Sequence, residues 1–264
     1  MQTIDIKIIR LAAYYGLLLI PLSILLWFKV PIIGKTIMAV VRMTAQLLFV
    51  GLYLQVVFSL NNPWLNLCWL MVMVAVADFS ITRGCGLNTK RFVFPLFCAI
   101  VFGSAIPLLI FVGPLLDLPN LMDARYVIPI GGMILGNCLR ADIIGVKDFY
   151  ESIKKDEKRY MLTLSQGADL HEAILPYLRD ACRAALLPTI ATIATIGLVA
   201  LPGMMTGVIL GGADPMMAIK YQIAIMIAIF SGTAITVVLA ILMTARTGFD
   251  PYGMLDLEIF TDQT

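Results

Sequence analysis

The sequence predicts an all-α fold: a polytopic membrane helix bundle of about seven transmembrane helices, one of them broken at a Pro-Gly pair. Three observations point to it. Hydrophobic residues make up 60% of the 264 and charged residues only 14%, where a soluble domain carries roughly a quarter charged. Mean hydropathy is +0.93. Apolar stretches long enough to span, about 20 residues each, recur at residues 9–28, 36–58, 63–81, 92–116, 126–146, 184–210 and 217–245. Residues 1–264 read as a single transmembrane domain, without repeats or a low-complexity tail.

The first stretch follows Lys7 and Arg10, superficially like a secretory signal. No small-x-small cleavage site follows Trp27-Phe28, so it reads as an uncleaved first helix. Six spans, with this segment lying flat on the surface, is the alternative. Before the second stretch, Gly34-Lys35-Thr36 imitates the end of a phosphate-binding loop, but Lys29 stands where the motif needs glycine. The chain therefore has no nucleotide loop of its own.

Arg42 and Gln46 lie one turn apart on one face of the second stretch. A charge at the bilayer centre costs at least roughly 2.5–3.5 kcal/mol on insertion scales. Arg42 is close enough to the edge to snorkel, whereas Gln46 lies near mid-depth. Asn137 lies at similar depth in the fifth stretch. Two amides at one depth point to an interhelical hydrogen bond or, failing that, a polar cavity. Asp78, Arg140 and Asp142, near the ends of their helices, read as structural ion pairs or interfacial charges. The spacings Gly132/Gly136 and Gly203/Gly207/Gly211 are those that let helices pack closely in lipid.

Charge sets the orientation. Residues 146–183 hold Lys147, Lys154, Lys155, Lys158, Arg159, Arg179 and Arg183. Arg83, Lys90 and Arg91 follow the third stretch, and Lys29 and Lys35 separate the first two. The alternate loops are nearly free of Lys and Arg. The positive-inside rule then places the N-terminus outside and the C-terminus in the cytoplasm, with Lys7 and Arg10 dissenting. Within 146–183, Asp169 and Glu172 form a capping-box pattern ahead of Leu170, Ile174, Leu175 and Leu178. That amphipathic helix is expected on or just below the membrane, touching a partner or its own bundle.

The sixth stretch is over-long and contains Pro202-Gly203. In lipid every backbone N–H and C=O needs a partner, so a broken helix survives only against protein or a cavity. Transporters place such breaks at their conduits. The plainer reading is that the helix ends there at the surface.

Other chemistry is sparse. The five cysteines form no CxxC pair, and His171 stands alone. Met204-Met205 and Met216-Met217 carry soft thioethers, but methionine more often fills gaps in a core. A net charge of +2 gives no nucleic-acid footprint. No nucleophile–base pair or carboxylate dyad stands out, so catalysis in this chain is not expected.

The strings RMTAQL at 42–47, YVIPIGGMILGN at 126–137 and GLVALPGMMTG at 197–207, followed by Tyr221-Gln222, occur in that order. Together they resemble the bacterial iron-export permease (FetB) family and its plant aluminium-tolerance relatives, from about residue 34 to 245. The resemblance implies a non-enzymatic ABC transporter membrane subunit in the bacterial inner (cytoplasmic) membrane. It would act as a homodimer with two copies of a separate ATPase, which would hold the ATP and Mg. Residues 164–174, with Leu164, Gly167, Asp169, Glu172 and Ile174, would form the coupling helix. They resemble the importers' EAA loop only through Gly167. The implied cargo is iron or a metal chelate moving out of the cytoplasm, past Arg42, Gln46, Asn137, Met204, Met205 and Thr206. Another small polar or amphipathic cargo, such as a nucleotide sugar, is one alternative. A secondary transporter is the other, and it would need mid-membrane carboxylates and matched broken helices.

Overall fold

The computed structural model describes residues 7–250 and 252–260, and among them every named element is helical. Helix α1 (Ile8–Tyr14) runs through a 3₁₀ turn into α2 (Leu19–Trp27), giving one 20-residue span. Then come α3 (Ile33–Leu60), α4 (Pro63–Cys85), α5 (Thr89–Ile110), α6 (Ala124–Lys155) and the short α7 (Glu157–Ser165). Helices α8 (Leu170–Thr195), α9 (Gly203–Leu210) and α10 (Pro215–Gly248) complete the order. A π-helical turn, Phe111–Leu115, prolongs α5.

The starts follow local chemistry. Asn62, Asn88, Asp123 and Asp214 each accept a backbone N–H from the first turn of the next helix, meeting donors that would otherwise be orphaned. Pro63 and Pro215 occupy first-turn positions, where the missing N–H costs nothing.

Helices α4, α5, α6 and α10 form the core, and α8 packs on α6 and α10. Glycines bring the backbones together. A Cβ at Gly103 of α5 would meet the Thr236 backbone nitrogen of α10 at 2.9 Å. One at Gly232 would meet Ile134 at 2.9 Å, and one at Gly145 would meet Val237 at 3.0 Å and Ala185 at 3.2 Å. None of these is a glycine singled out by spacing. Of the glycines that the spacing marks, Gly132 does approach a neighbour, Met73 of α4 at 3.1 Å, whereas Gly203, Gly207 and Gly136 have nothing within 4 Å and Gly211 meets only carbonyls of its own helix. Among the described residues, then, nothing packs across the Gly203/Gly207/Gly211 face.

Contacts at the two ends order the passages. At one end Asn61 Oδ1 accepts from Ala124 N at 3.0 Å, and Asn66 Nδ2 donates to the Met122 carbonyl at 2.7 Å. At the other, basic end the C-terminal segment folds back. Asn88 N donates to Ile259 O, Arg91 pairs with Asp256, and Tyr160 OH donates to Gly253 O. The Arg91 guanidinium holds the exposed Asp256 carboxyl below the usual carboxylate range. That contact is therefore complete at neutral pH and is lost as pH falls through the lowered value.

Six helices are long and apolar enough to span singly. The seventh passage is made in two pieces, since α8 starts at the basic end beside α7 whereas Tyr221, early in α10, packs with Tyr126 at the other. The first span does not lie flat. It runs antiparallel to α3, with Tyr15 hydrogen-bonded to Thr44 at 2.6 Å. This hairpin touches the rest through the end of α3, where Tyr53 stacks on Trp69 and Val57 is buried beside Ala124 and Ile128.

Much of the basic connection at 146–183 is helical, since α6 continues to Lys155 and α8 begins at Leu170. One expectation is corrected here. The amphipathic segment is not a separate surface helix. Its capping box forms as expected, and the same helix then runs on into the span, since backbone hydrogen bonding propagates wherever neighbours cover its apolar face.

Candidate functional site

Helices α6 and α8 approach closely where Gly145 faces Ala181 and Ala185. Towards mid-span they leave a cleft of about 100 Å³, lined by Asn137 and Arg140 of α6, Pro188, Thr189 and Thr192 of α8, and Met226 of α10. Thr192 Oγ1 donates to the Pro188 carbonyl at 3.0 Å, the usual helical back-bond of a hydroxyl in an apolar setting. Asn137 Nδ2 donates to the Met133 carbonyl at 2.8 Å. Its second amide hydrogen is uncommitted.

The hydrogen bond expected between Gln46 and Asn137 is absent, because Asn137 bonds within its own helix and Gln46 is exposed on α3. Arg42 is exposed on the same helix, and neither residue lines the cleft. Asp78, Arg140 and Asp142, expected as ion pairs or interfacial charges, form no ion pair: among the described residues, bridges join only Arg91–Asp256, Lys147–Glu151, Lys155–Glu151 and Arg159–Asp156. Two residues along a helix turn roughly 200°, so Arg140 faces the cleft while Asp142 faces the core. Asp78 and Asp142 are 2% and 0% exposed. Both Asp142 oxygens and Asp78 Oδ1 lack a hydrogen-bond partner among the described residues.

The break falls earlier than Pro202-Gly203. Helix α8 ends at Thr195, and residues 196–201 turn with Gly197 at φ +86°, a left-handed conformation that favours glycine. Gly197 N donates to Ala200 O, and Leu198 N and Val199 N share the Thr195 carbonyl. Pro202 is the N-cap of α9, not the end of α8. Eight residues of α9 rise about 12 Å, under half of a hydrocarbon core of about 30 Å. The turn therefore lies at depth. Half-buried Met204 packs on the cluster of Ile130, Ile134 and Ile225, Met205 is half-buried beside it, and Thr206 Oγ1 donates to the Pro202 carbonyl. Leu198 and Val199 are 91% and 81% exposed.

In the basic connection, Gly167 (φ +94°), Asp169 and Glu172 are exposed at the turn between α7 and α8. Leu164 packs against the core and Ile174 is buried in it. Burial holds the Tyr160 hydroxyl, bonded to Gly253, up at about 12.

Thr189 and Thr192 went unnoticed in the sequence. Their three-residue spacing, continued by Thr195, was the available signal for a polar stripe. Among the described residues no cluster of three His, Cys, Asp or Glu could hold a metal.

Helices, breaks and cleft define the class: a polytopic all-α membrane protein with a small recess between its helices, lined by Asn137 and Arg140 on the side that faces α8. Residues 8–249 match the family described as Uncharacterised protein family (UPF0014), and the chain belongs to it. It is 32% identical over 240 residues to the UPF0014 membrane protein slr1647 of Synechocystis sp., covering 91% of this chain and 93% of that one. It is 33% identical to the "Probable iron export permease protein FetB" of Escherichia coli, over 88% of each chain. It is 34% identical to Protein ALUMINUM SENSITIVE 3 of Arabidopsis thaliana, over 73% of this chain and 69% of that one. No solved structure matches the chain. The resemblance read from residues 42–47, 126–137 and 197–207 is borne out.

Proposed function

We propose that this chain is the permease subunit of an ABC transporter, exporting iron or an iron chelate from the cytoplasm with ATP hydrolysed by a separate subunit. The observation that carries this reading is the relationship to the Escherichia coli protein, which extends over 88% of both chains. The exposed turn at Gly167 supports it, because a permease driven by a separate ATPase must present a contact on the cytoplasmic side. Helix α8 then joins that turn to the cleft as one continuous rod of 26 residues, about 39 Å long.

The working form is a homodimer on two ATPase subunits. In lipid, Arg42 and Gln46, on a helix face without partners among the described residues, are costly unless another protein or water meets them. The uncovered Gly203/Gly207 face and the exposed turn at 196–201 have the same need.

Purification of the tagged chain from its own membranes in mild detergent is expected to bring down a stoichiometric ATPase whose hydrolysis rate responds to this chain. If neither co-purification nor cross-linking in intact membranes finds a nucleotide-binding partner, the ABC reading fails. The chain would lie in the bacterial cytoplasmic membrane, N-terminus outside. In a cysteine-free background, Asn61→Cys should react with an impermeant maleimide from outside and Lys155→Cys only from the cytoplasm. The reverse pattern would invert the topology.

A further inference from the structure

Along the Arg140 cleft the spare donors outnumber the acceptors, and the acceptors beside them, Asn137 Oδ1 and Thr189 Oγ1, are neutral. Arg140 is exposed, with no carboxylate within 4.0 Å among the described residues, so all five of its N–H donors are uncommitted. Asn137 keeps its second amide hydrogen, and the Thr189 hydroxyl makes no hydrogen bond with any described residue. Cations bind in the opposite kind of site: hard ones take carboxylates and carbonyls, and transition metals add imidazole or thiolate. The two carboxylates within the inner part of the spans, Asp78 and Asp142, are buried on the far side of α6. A second copy of the chain therefore cannot present them to Arg140 either.

Arg140 stands 16 residues into α6, about 24 Å from its start, so it lies towards the basic edge of a hydrocarbon core of about 30 Å. An arginine within a span still needs an oxygen partner or a reach to water. A planar guanidinium with its donors free matches phosphate and carboxylate oxygens in pairs. A recess of about 100 Å³, some three waters in volume, holds one such group.

We propose that this cleft is an oxyanion site: Arg140, with Asn137 and Thr189 beside it, receives a phosphate or carboxylate group of the transported solute or of a lipid headgroup. The inference rests on the permease reading and narrows its cargo. Iron passing here would travel as an anionic chelate, held through the chelator's oxygens, and not as the bare ion.

The test needs neither ATP nor a partner. The purified full-length chain is placed in nanodiscs of phosphatidylcholine and dialysed against radiolabelled pyrophosphate or, separately, ⁵⁵Fe²⁺. Pyrophosphate should bind, with affinity falling at least tenfold in Arg140→Gln and recovering in part in Arg140→Lys. The bare ferrous ion should not be retained. Repeating the measurement with phosphatidylglycerol in the disc separates the two sources. Unchanged binding identifies a soluble anion as the occupant, and binding lost to the anionic lipid identifies its headgroup. Retention of ⁵⁵Fe²⁺ without an anion, no pyrophosphate binding to the wild-type chain, or equal binding by a folded Arg140→Gln variant would each overturn the site. A chain that binds pyrophosphate but recruits no ATPase loses the ABC reading and keeps the site. The converse result does the reverse.

Discussion

Gly103→Leu is expected to leave no monodisperse protein after detergent extraction, and Gly103→Ala to melt several degrees below the wild type. A Cβ at this position meets Thr236 Cγ2 and, at 2.9 and 3.0 Å, the Thr236 backbone nitrogen and Cα. A flexible side chain can move out of the way, but a helix backbone packed on three neighbours cannot. Any added volume must lever α10 off α5 along the most extensive contact in the bundle. Overpacking a core commonly costs about 1–3 kcal/mol, and more where backbone is the obstacle. The interface also has no hydrophobic driving force to spare, because lipid tails are as apolar as the side chains they would replace. Size-exclusion after a heating series reads the effect directly. Thr236→Ser removes the clashing methyl and should restore part of the loss in Gly103→Ala, the remainder coming from backbone. A wild-type melting temperature for Gly103→Leu would mean that α5 and α10 do not approach as described. Leucine at Gly203 or Gly207, by contrast, should leave this chain's own folding intact, since nothing lies within 4 Å of either.

Gly167→Leu is expected to cut stimulation of the partner ATPase at least tenfold while the bundle stays folded. Gly167 is exposed, has nothing within 4 Å, and sits at φ +94°. An L side chain there costs roughly 1–2 kcal/mol, enough to reshape a free turn and too little to unfold a bundle. The turn leads straight into α8, whose first residues are tied down by the Asp169–Glu172 capping box and by buried Ile174. A change of shape at the contact thus alters how the partner grips the rod that reaches the cleft. Hydrolysis by the reconstituted pair, set beside the variant's melting curve and its pyrophosphate binding, checks this. Undiminished stimulation would remove the turn from the coupling role.

Much of the architecture was legible in the residues. Six of the seven apolar stretches recur as helices long enough to span, and the basic end, the capping box at Asp169 and an interruption in the sixth stretch recur too, because each is local. The site was legible only in part. Asn137 was marked by its depth and does line the cleft. Arg140 and Asp142 read alike, as ion-pair or interfacial charges near a helix end, whereas the helix turns the two to opposite faces. Gln46 shares a depth with Asn137 but sits on a hairpin that meets the bundle elsewhere. Pro202 drew attention as a breaker, yet the chain had already turned at Gly197, and proline serves as the cap of the next helix.

By itself the sequence determined that this chain spans a membrane many times, which of its ends is basic, and to which family it belongs. Hydropathy, charge and residue order are properties of the chain, and lipid leaves helices as the means by which such stretches satisfy their backbones. Only the tertiary structure decided which glycines touch a neighbour, that Asp142 is buried while Arg140 stands open, and that the seventh passage is made in two pieces. Those facts depend on how each helix is rotated about its axis. In a bilayer, where every face of a span is apolar, that rotation is set by packing against neighbours and not by hydropathy.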